Sequence, residues 1–244
     1  MRIVRFATTA ALFLAMAACH DRSDGEVRDA GPATDRNYTV GAFSKIAVAG
    51  GYDVTVTAGG APGVRAHGGK AVLDDTDIVV ENGTLKIRPH QKNGIHWGWG
   101  RHDKVTVSVS GAGALAGAAI AGSGDVRIDR AGGAAFKGEV AGSGNLGIDA
   151  LDAREVELSI AGSGGIRAAG KAGKADFNIA GSGDIDAPGL AATDASVSIA
   201  GSGNVTAHAT GLADVSIMGS GDVTITGGAH CTVSKAGSGN VHCS

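Results

Sequence analysis

Aromatic residues make up only 4% of this 244-residue chain, and its 21 basic residues are offset by 24 acidic ones without forming a stripe. A nucleic-acid surface needs a basic track and aromatic stacking partners, so neither DNA nor RNA is expected as a partner. Within the repeated part of the chain apolar residues never recur at the three-and-four spacing of a helix, and glycine, 42 residues in all, recurs too often there for a helix of useful length. Helical coils are therefore excluded. The longest apolar run, Phe6 to Ala18, falls short of the roughly 20 residues that a membrane-spanning helix requires.

What the chain has instead is a repeat. Gly-Ser-Gly begins at Gly122, Gly142, Gly162, Gly181, Gly201, Gly219 and Gly237, at intervals of 20, 20, 19, 20, 18 and 18 residues. A unit of that size cannot bury a core alone and must stack on its neighbours. Before each corner, apolar residues alternate with polar ones, as in Leu158/Ile160, Phe177/Ile179 and Val197/Ile199. After it the alternation resumes, as in Val126/Ile128 and Leu146/Ile148. Period two means strands with one face inward and one in water. Strands of this economy predict an all-β parallel β-helix, with successive coils about 4.8 Å apart and glycine turning each corner.

Stacking places the residue after each Gly-Ser-Gly in one column: Asp125, Asn145, Gly165, Asp184, Asn204, Asp222, Asn240. No two carboxylates adjoin in this series, which relieves the repulsion of like charges one coil apart. The column is predicted to be a turn and amide ladder. A calcium ladder of the nonapeptide kind would need a nine-residue period and consecutive acidic ligands. Neither is present, so no metal and no cofactor is expected.

The first nineteen residues combine Arg2 and Arg5 with the apolar run and end at Met16-Ala17-Ala18-Cys19, residues 1–18 being the expected signal peptide. This is the pattern of a secretory signal peptide and resembles a lipobox, which makes Cys19 the expected lipidated N-terminus. His20 rather than Asp follows it, favouring the outer membrane, with the domain on the periplasmic side or at the surface. Residues 19–37 are predicted to be a polar tether, and folding is predicted to begin near Tyr38.

Residues 38–110 lack Gly-Ser-Gly but keep strand patterning in KIAV, YDVTVT, DIVV, TLKI and KVTVSV. They are predicted to form a β cap or irregular first coils, with the repeats proper filling 111–244. An open solenoid end would expose apolar side chains and unpaired strand edges, so pairing with a second copy is conceivable there. At the other end Cys231 and Cys243 share the inward parity, predicting a disulfide that closes the last coil in an oxidising compartment. His230 and His242 have the opposite parity, which argues against a Cys2His2 metal site.

One segment breaks the pattern. Between Pro89 and His102 lie His90, His96, Trp97, Trp99 and His102, groups able to stack a sugar or gather a metal. A long hairpin loop with its tryptophans packed on the cap accounts for the same residues. As loops commonly carry binding groups, this is the candidate binding loop.

The opening FSKIAVAGGYDVTVTAG, the segment DIVVENGTLKI and the corners AGSGD and AGSGN resemble the bacterial head GIN domain family, labelled putative autotransporter adhesins, over roughly residues 42–241. The resemblance implies a right-handed β-helix on a secreted or lipid-anchored envelope protein and carries over no catalytic residue. The histidine and tryptophan segment is not part of the family pattern.

Together these features predict a non-catalytic envelope lipoprotein, held to the membrane by its lipid. Its β-helix would offer a binding or scaffold surface. The polar column Ser159, Asn178, Ser198, Ser216, Ser234 suits a glycan or an envelope protein, and also serves solubility alone. The alternative is a polysaccharide lyase or hydrolase, for which Lys137, Glu139, Glu157 and Asp176 would have to cluster on neighbouring coils.

Overall fold

A computed structural model describes residues 29–90 and 104–244. The strands run β1 (Ala33–Tyr38), β2 (Lys45–Gly50), β3 (Tyr52–Ala58) and β4 (Gly63–Gly69), followed by helix α1 (Lys70–Asp74). The chain continues through β5 (Thr76–Glu81), β6 (Thr84–Pro89), β7 (Val105–Ala112), β8 (Gly117–Gly122), β9 (Asp125–Ile128) and β10 (Ala131–Gly142). Long strands that bend around corners follow: β11 (Asn145–Gly162), β12 (Gly165–Gly181) and β13 (Asp184–Gly201). The last coils comprise β14 (Val205–Ala209), β15 (Leu212–Gly219), β16 (Val223–Thr226), β17 (His230–Gly237) and β18 (Val241–Cys243).

The repeats stack as a parallel β-solenoid. Each inward position sits on its equivalent in the coil before, so Val48, Ile120, Val140, Ile160, Ile179, Ile199 and Ile217 form one continuous buried row. A second row of Val54, Val126, Leu146, Ile166, Ile185, Val205 and Val223 faces it. Phe136 and Phe177 fill the interior between them. Burying a Val, Leu or Ile side chain contributes about 1.5–3 kcal/mol, and vertical stacking lets every coil gain this from two neighbours. Corner geometry is set by the first glycine of each Gly-Ser-Gly: at Gly201 φ is +138°, and a Cβ there would run into the carbonyl oxygen of Gly181. Only glycine meets both conditions.

The solenoid starts earlier than the first Gly-Ser-Gly. Gly50 pairs with Gly122 in register, so Ala49-Gly50-Gly51 is a corner of the same stack without the tripeptide. Beyond it lies the cap, where β4 runs antiparallel to β7, β5 antiparallel to β6, and β1 antiparallel to β4. Two features of this cap depart from the sequence pattern. Residues 33–37, assigned above to the tether, form β1 together with Tyr38. Most of the strand is polar, and it is held by backbone pairing, by Tyr38 packed against the core, and by ion pairs from Arg36 to Asp74 (2.5 Å) and from Arg65 to Asp35 (3.1 Å). Among the described residues there is also one helix. The five-residue α1 turns Val72 and Leu73 into the core and is too short to show a period.

Thr76, a polar residue buried beside it, is satisfied. Thr76 Oγ1 donates to the carbonyl of Val72 (2.8 Å) and pairs with the Tyr52 hydroxyl (3.2 Å). Burial pushes the Tyr52 phenol above its ordinary pKa.

At the far end β17 pairs only with β15, and β18 only with β16. Cys231 and Cys243, stacked on Ala213 and Ile225, form a disulfide across this coil.

Candidate binding faces of the solenoid

The column after the Gly-Ser-Gly corners is a hydrogen-bonded ladder. Asp125 Oδ1 accepts from the backbone N–H and the side-chain amide of Asn145 (3.1 and 2.7 Å). The same pair of bonds joins Asn204 to Asp184 (3.0 and 2.9 Å) and Asn240 to Asp222 (2.8 and 3.1 Å). Asp222 N–H donates in turn to Asn204 Oδ1 (3.1 Å). Each Asn thus neutralises nothing but satisfies the carboxylate before it, the role an amide can take and a second carboxylate cannot. Contrary to the spacing expected from the Gly-Ser-Gly columns alone, two carboxylates do adjoin: Asp53 of β3 stands in register with Asp125. Strand β3 has no tripeptide to align on, which hid this rung. Among the described residues no group of three or more His, Cys, Asp or Glu could hold a metal ion.

Of the candidate loop only His90 belongs to the described residues. Its Nδ1 lies 2.8 Å from Asp77 Oδ1, and its N–H donates to the carbonyl of Asp75. His96, Trp97, Trp99 and His102 lie outside the described residues, as does Cys19.

Two long grooves run along the stack. The first, about 830 Å³, extends from β6 to β13. Its floor is a column of alanines, among them Ala121, Ala141, Ala161, Ala180 and Ala200, each in register with the next. One rail is the column Glu139, Ser159, Asn178, Ser198. This alanine floor is readable in the sequence, because an alanine precedes most Gly-Ser-Gly units at outward parity. Lys86 and Arg88 close one end and are both paired with Glu81 (2.6 and 3.1 Å).

On the same sheet Lys137 sits between Glu139 and Glu157, at 2.9 and 3.3 Å. Those two carboxylates hold its ammonium above the ordinary lysine pKa. All three side chains are about half exposed, and Asp176 is engaged by Lys174 (2.9 Å). The four residues do come together, as a ladder of surface ion pairs. Nothing here isolates an acid from a base in a dry cleft, as general acid–base chemistry on a sugar requires.

The second groove, about 940 Å³, follows the Asx ladder. Arg127, Arg167, Asp149 and Asp186 rim it, with Arg127 donating to Asp149 (3.0 Å) and Arg167 lying 3.5 Å from Asp186.

Solved structures share this architecture. A putative adhesin from Bacteroides fragilis superimposes with a TM-score of 0.74 at 24% identity, covering 87% of this chain and 97% of that one. A protein from Parabacteroides distasonis described as a putative lipid binding protein gives 0.65 at 26% identity, over 88% and 97%. A putative adhesin from Parabacteroides merdae gives 0.66 at 22% identity, over 88% and 97%. No curated protein matches the chain. The family model described as "Putative auto-transporter adhesin, head GIN domain" matches residues 42–229, and the chain belongs to that family.

Proposed function

We propose that this protein is a non-catalytic binding module of the cell envelope, lipidated at Cys19 and carried at the outer membrane. The alanine-floored groove would be its contact surface for an envelope polysaccharide or protein. The observation that carries this reading is the groove's regularity. Hydroxyl and amide side chains at one-coil spacing flank a flat apolar floor, an arrangement that matches an extended, repeating partner along its length. Family membership supports an adhesin-like role, and the paired state of Lys137, Glu139 and Glu157 weighs against the lyase or hydrolase alternative.

The test uses the full chain, captured from cells and mixed with isolated envelope polysaccharide and with solubilised envelope protein. Retention of either, lost on Ala161→Arg in the groove floor, is the expected result. No retention of either fraction would leave only a spacer. Labelling with a fatty-acid analogue, abolished by Cys19→Ser, tests the anchor separately.

A further inference from the structure

The Asx ladder is broken at one rung, and the break coincides with a gap in the next column. Gly165 falls between Asn145 and Asp184, and Gly147 falls between Arg127 and Arg167. The two glycines are diagonal neighbours on adjacent strands, and both line the second groove. Neither has the left-handed φ that the corner glycines show. A Cβ on Gly147 would meet nothing nearer than 4.0 Å, and one on Gly165 would meet only the tip of the Asn145 side chain at 2.9 Å. Backbone conformation and packing therefore do not require glycine at either place.

The coil that carries Gly165 is one residue shorter than the coils on either side of it. At the corner above Ile148, Asp149 and Ala150 face the single Ala169, and at the corner before Gly189, Ala187 and Pro188 face the single Ala168. This is the 19-residue interval, set between intervals of 20. The missing residue falls at the corner just beyond Arg167, and that shortened corner lines the same groove as the two glycines. The gap spans two strand spacings, about 9.6 Å, which suits one sugar unit.

We propose that the Gly147–Gly165 gap is a recognition site for a neutral, polyhydroxylated saccharide. The rim alternates donors and acceptors: the guanidiniums of Arg127 and Arg167 donate, and the carboxylates of Asp149 and Asp186 accept. Asn145 Oδ1 accepts no hydrogen bond among the described residues, whereas the equivalent oxygen of Asn204 accepts one from the next rung. A sugar hydroxyl is both donor and acceptor and can bridge such a pair. An anionic ligand gains nothing overall, because the two guanidiniums are cancelled by two carboxylates and Asp184 adds a third. Among the described residues no aromatic side chain lines the groove, and the hydrogen-bonding rim suits a sugar entering by its hydroxylated edge.

This proposal rests on the reading of the protein as a binding module and assigns it a site on a different face. The full chain is applied to immobilised short oligosaccharides of neutral hexoses and N-acetylhexosamines, with uronic-acid oligomers as charged counterparts. Binding to a neutral member is expected. It should weaken about tenfold or more in Gly147→Asn/Gly165→Asn, with the melting temperature unchanged or raised, and in Arg167→Gln, whose side chain is 84% exposed and cannot disturb the core. Undiminished binding by these variants, a preference for uronic-acid oligomers, or no binding to any neutral member would each overturn it. If binding survives the glycine variants but is lost on Ala161→Arg, the gap is wrong and the binding-module reading stands. If the wild type retains neither these glycans nor any envelope fraction, both fall.

Discussion

Asp53 stands in strand register with Asp125, and the ammonium of Lys104 lies 3.1 Å from the Asp53 carboxylate. Everywhere else along this column an amide or a glycine separates the carboxylates. At this rung a cation supplies the relief. Asp53 holds the Lys104 pKa above its ordinary value, with Asp125 adding to the effect. A raised lysine pKa contributes stability that is complete below the unfolded value, about 10.4, and is lost as pH climbs through the folded one. Lys104→Met should therefore lower the melting temperature at neutral pH and low salt. The deficit should shrink as salt screens the carboxylates. Adding Asp53→Asn should restore most of the loss; a salt-independent deficit that persists in the double variant would assign Lys104 a packing role instead.

A second electrostatic pin holds β1. Arg36 donates to the carbonyl of Leu73 and to Asp74, and Lys70 donates to Asp74 as well. The hydrogen bonds from Lys70 and Arg36 bring the Asp74 carboxyl down to about 2. For a depressed carboxylate the stabilisation is present above the unfolded pKa, about 3.9, and disappears as pH falls toward 2. Amide exchange in residues 33–38 should accelerate through that window while the β12 and β13 amides stay protected. Asp74→Asn should produce the same acceleration already at neutral pH.

The last coil relies on two devices in place of a covering strand. The disulfide closes a short loop between positions separated by 12 residues. Lys235 occupies the inward rung above Ile217 and donates to the carbonyl of Gly239 (2.9 Å), placing a charge on an edge that would otherwise pair with another strand. A disulfide over so short a loop is worth about 2–4 kcal/mol. Because coils contact only their neighbours, Cys231→Ser/Cys243→Ser should strip protection from β17 and β18 first and leave β10 to β13 nearly unchanged, as read by hydrogen exchange. Lys235→Val should raise concentration-dependent self-association by sedimentation, since Val233 beside it is already 46% exposed.

The inward rows are legible in the sequence because stacking repeats one local decision many times. Ile160, Ile179 and Ile199 share a position relative to their corners, so parity alone assigns them to the core. Legibility fails where the repeat does. β1 contains no apolar alternation, and its Asp35 and Arg36 look like tether residues until Arg65 and Asp74 are placed opposite them. The register of Asp53 depends on a corner, Ala49-Gly50-Gly51, that lacks the serine used for alignment. Gly147 and Gly165 are visible as letters, yet the sequence cannot show that they adjoin, because that depends on how two strands of different coils are offset.

The same residue type plays opposite parts within one coil stack, and this can be measured. Gly201 has φ of +138° and no room for a Cβ against the Gly181 carbonyl, so Gly201→Ala forces both an unfavourable backbone conformation and a shift between coils. A loss of at least about 2 kcal/mol is expected in urea denaturation. Gly165 has neither constraint. In Gly165→Asn the new amide can rejoin the broken ladder, its oxygen taking over the Asp184 N–H that now donates to the Gly164 carbonyl (3.2 Å), as Asn204 accepts from Asp222. The expected change is from zero to about 1 kcal/mol of added stability, the worth of one exposed hydrogen bond at most. If Gly165→Asn instead destabilised the protein as much as Gly201→Ala, glycine at 165 would be a requirement of folding, and the gap it leaves would need no ligand to explain it.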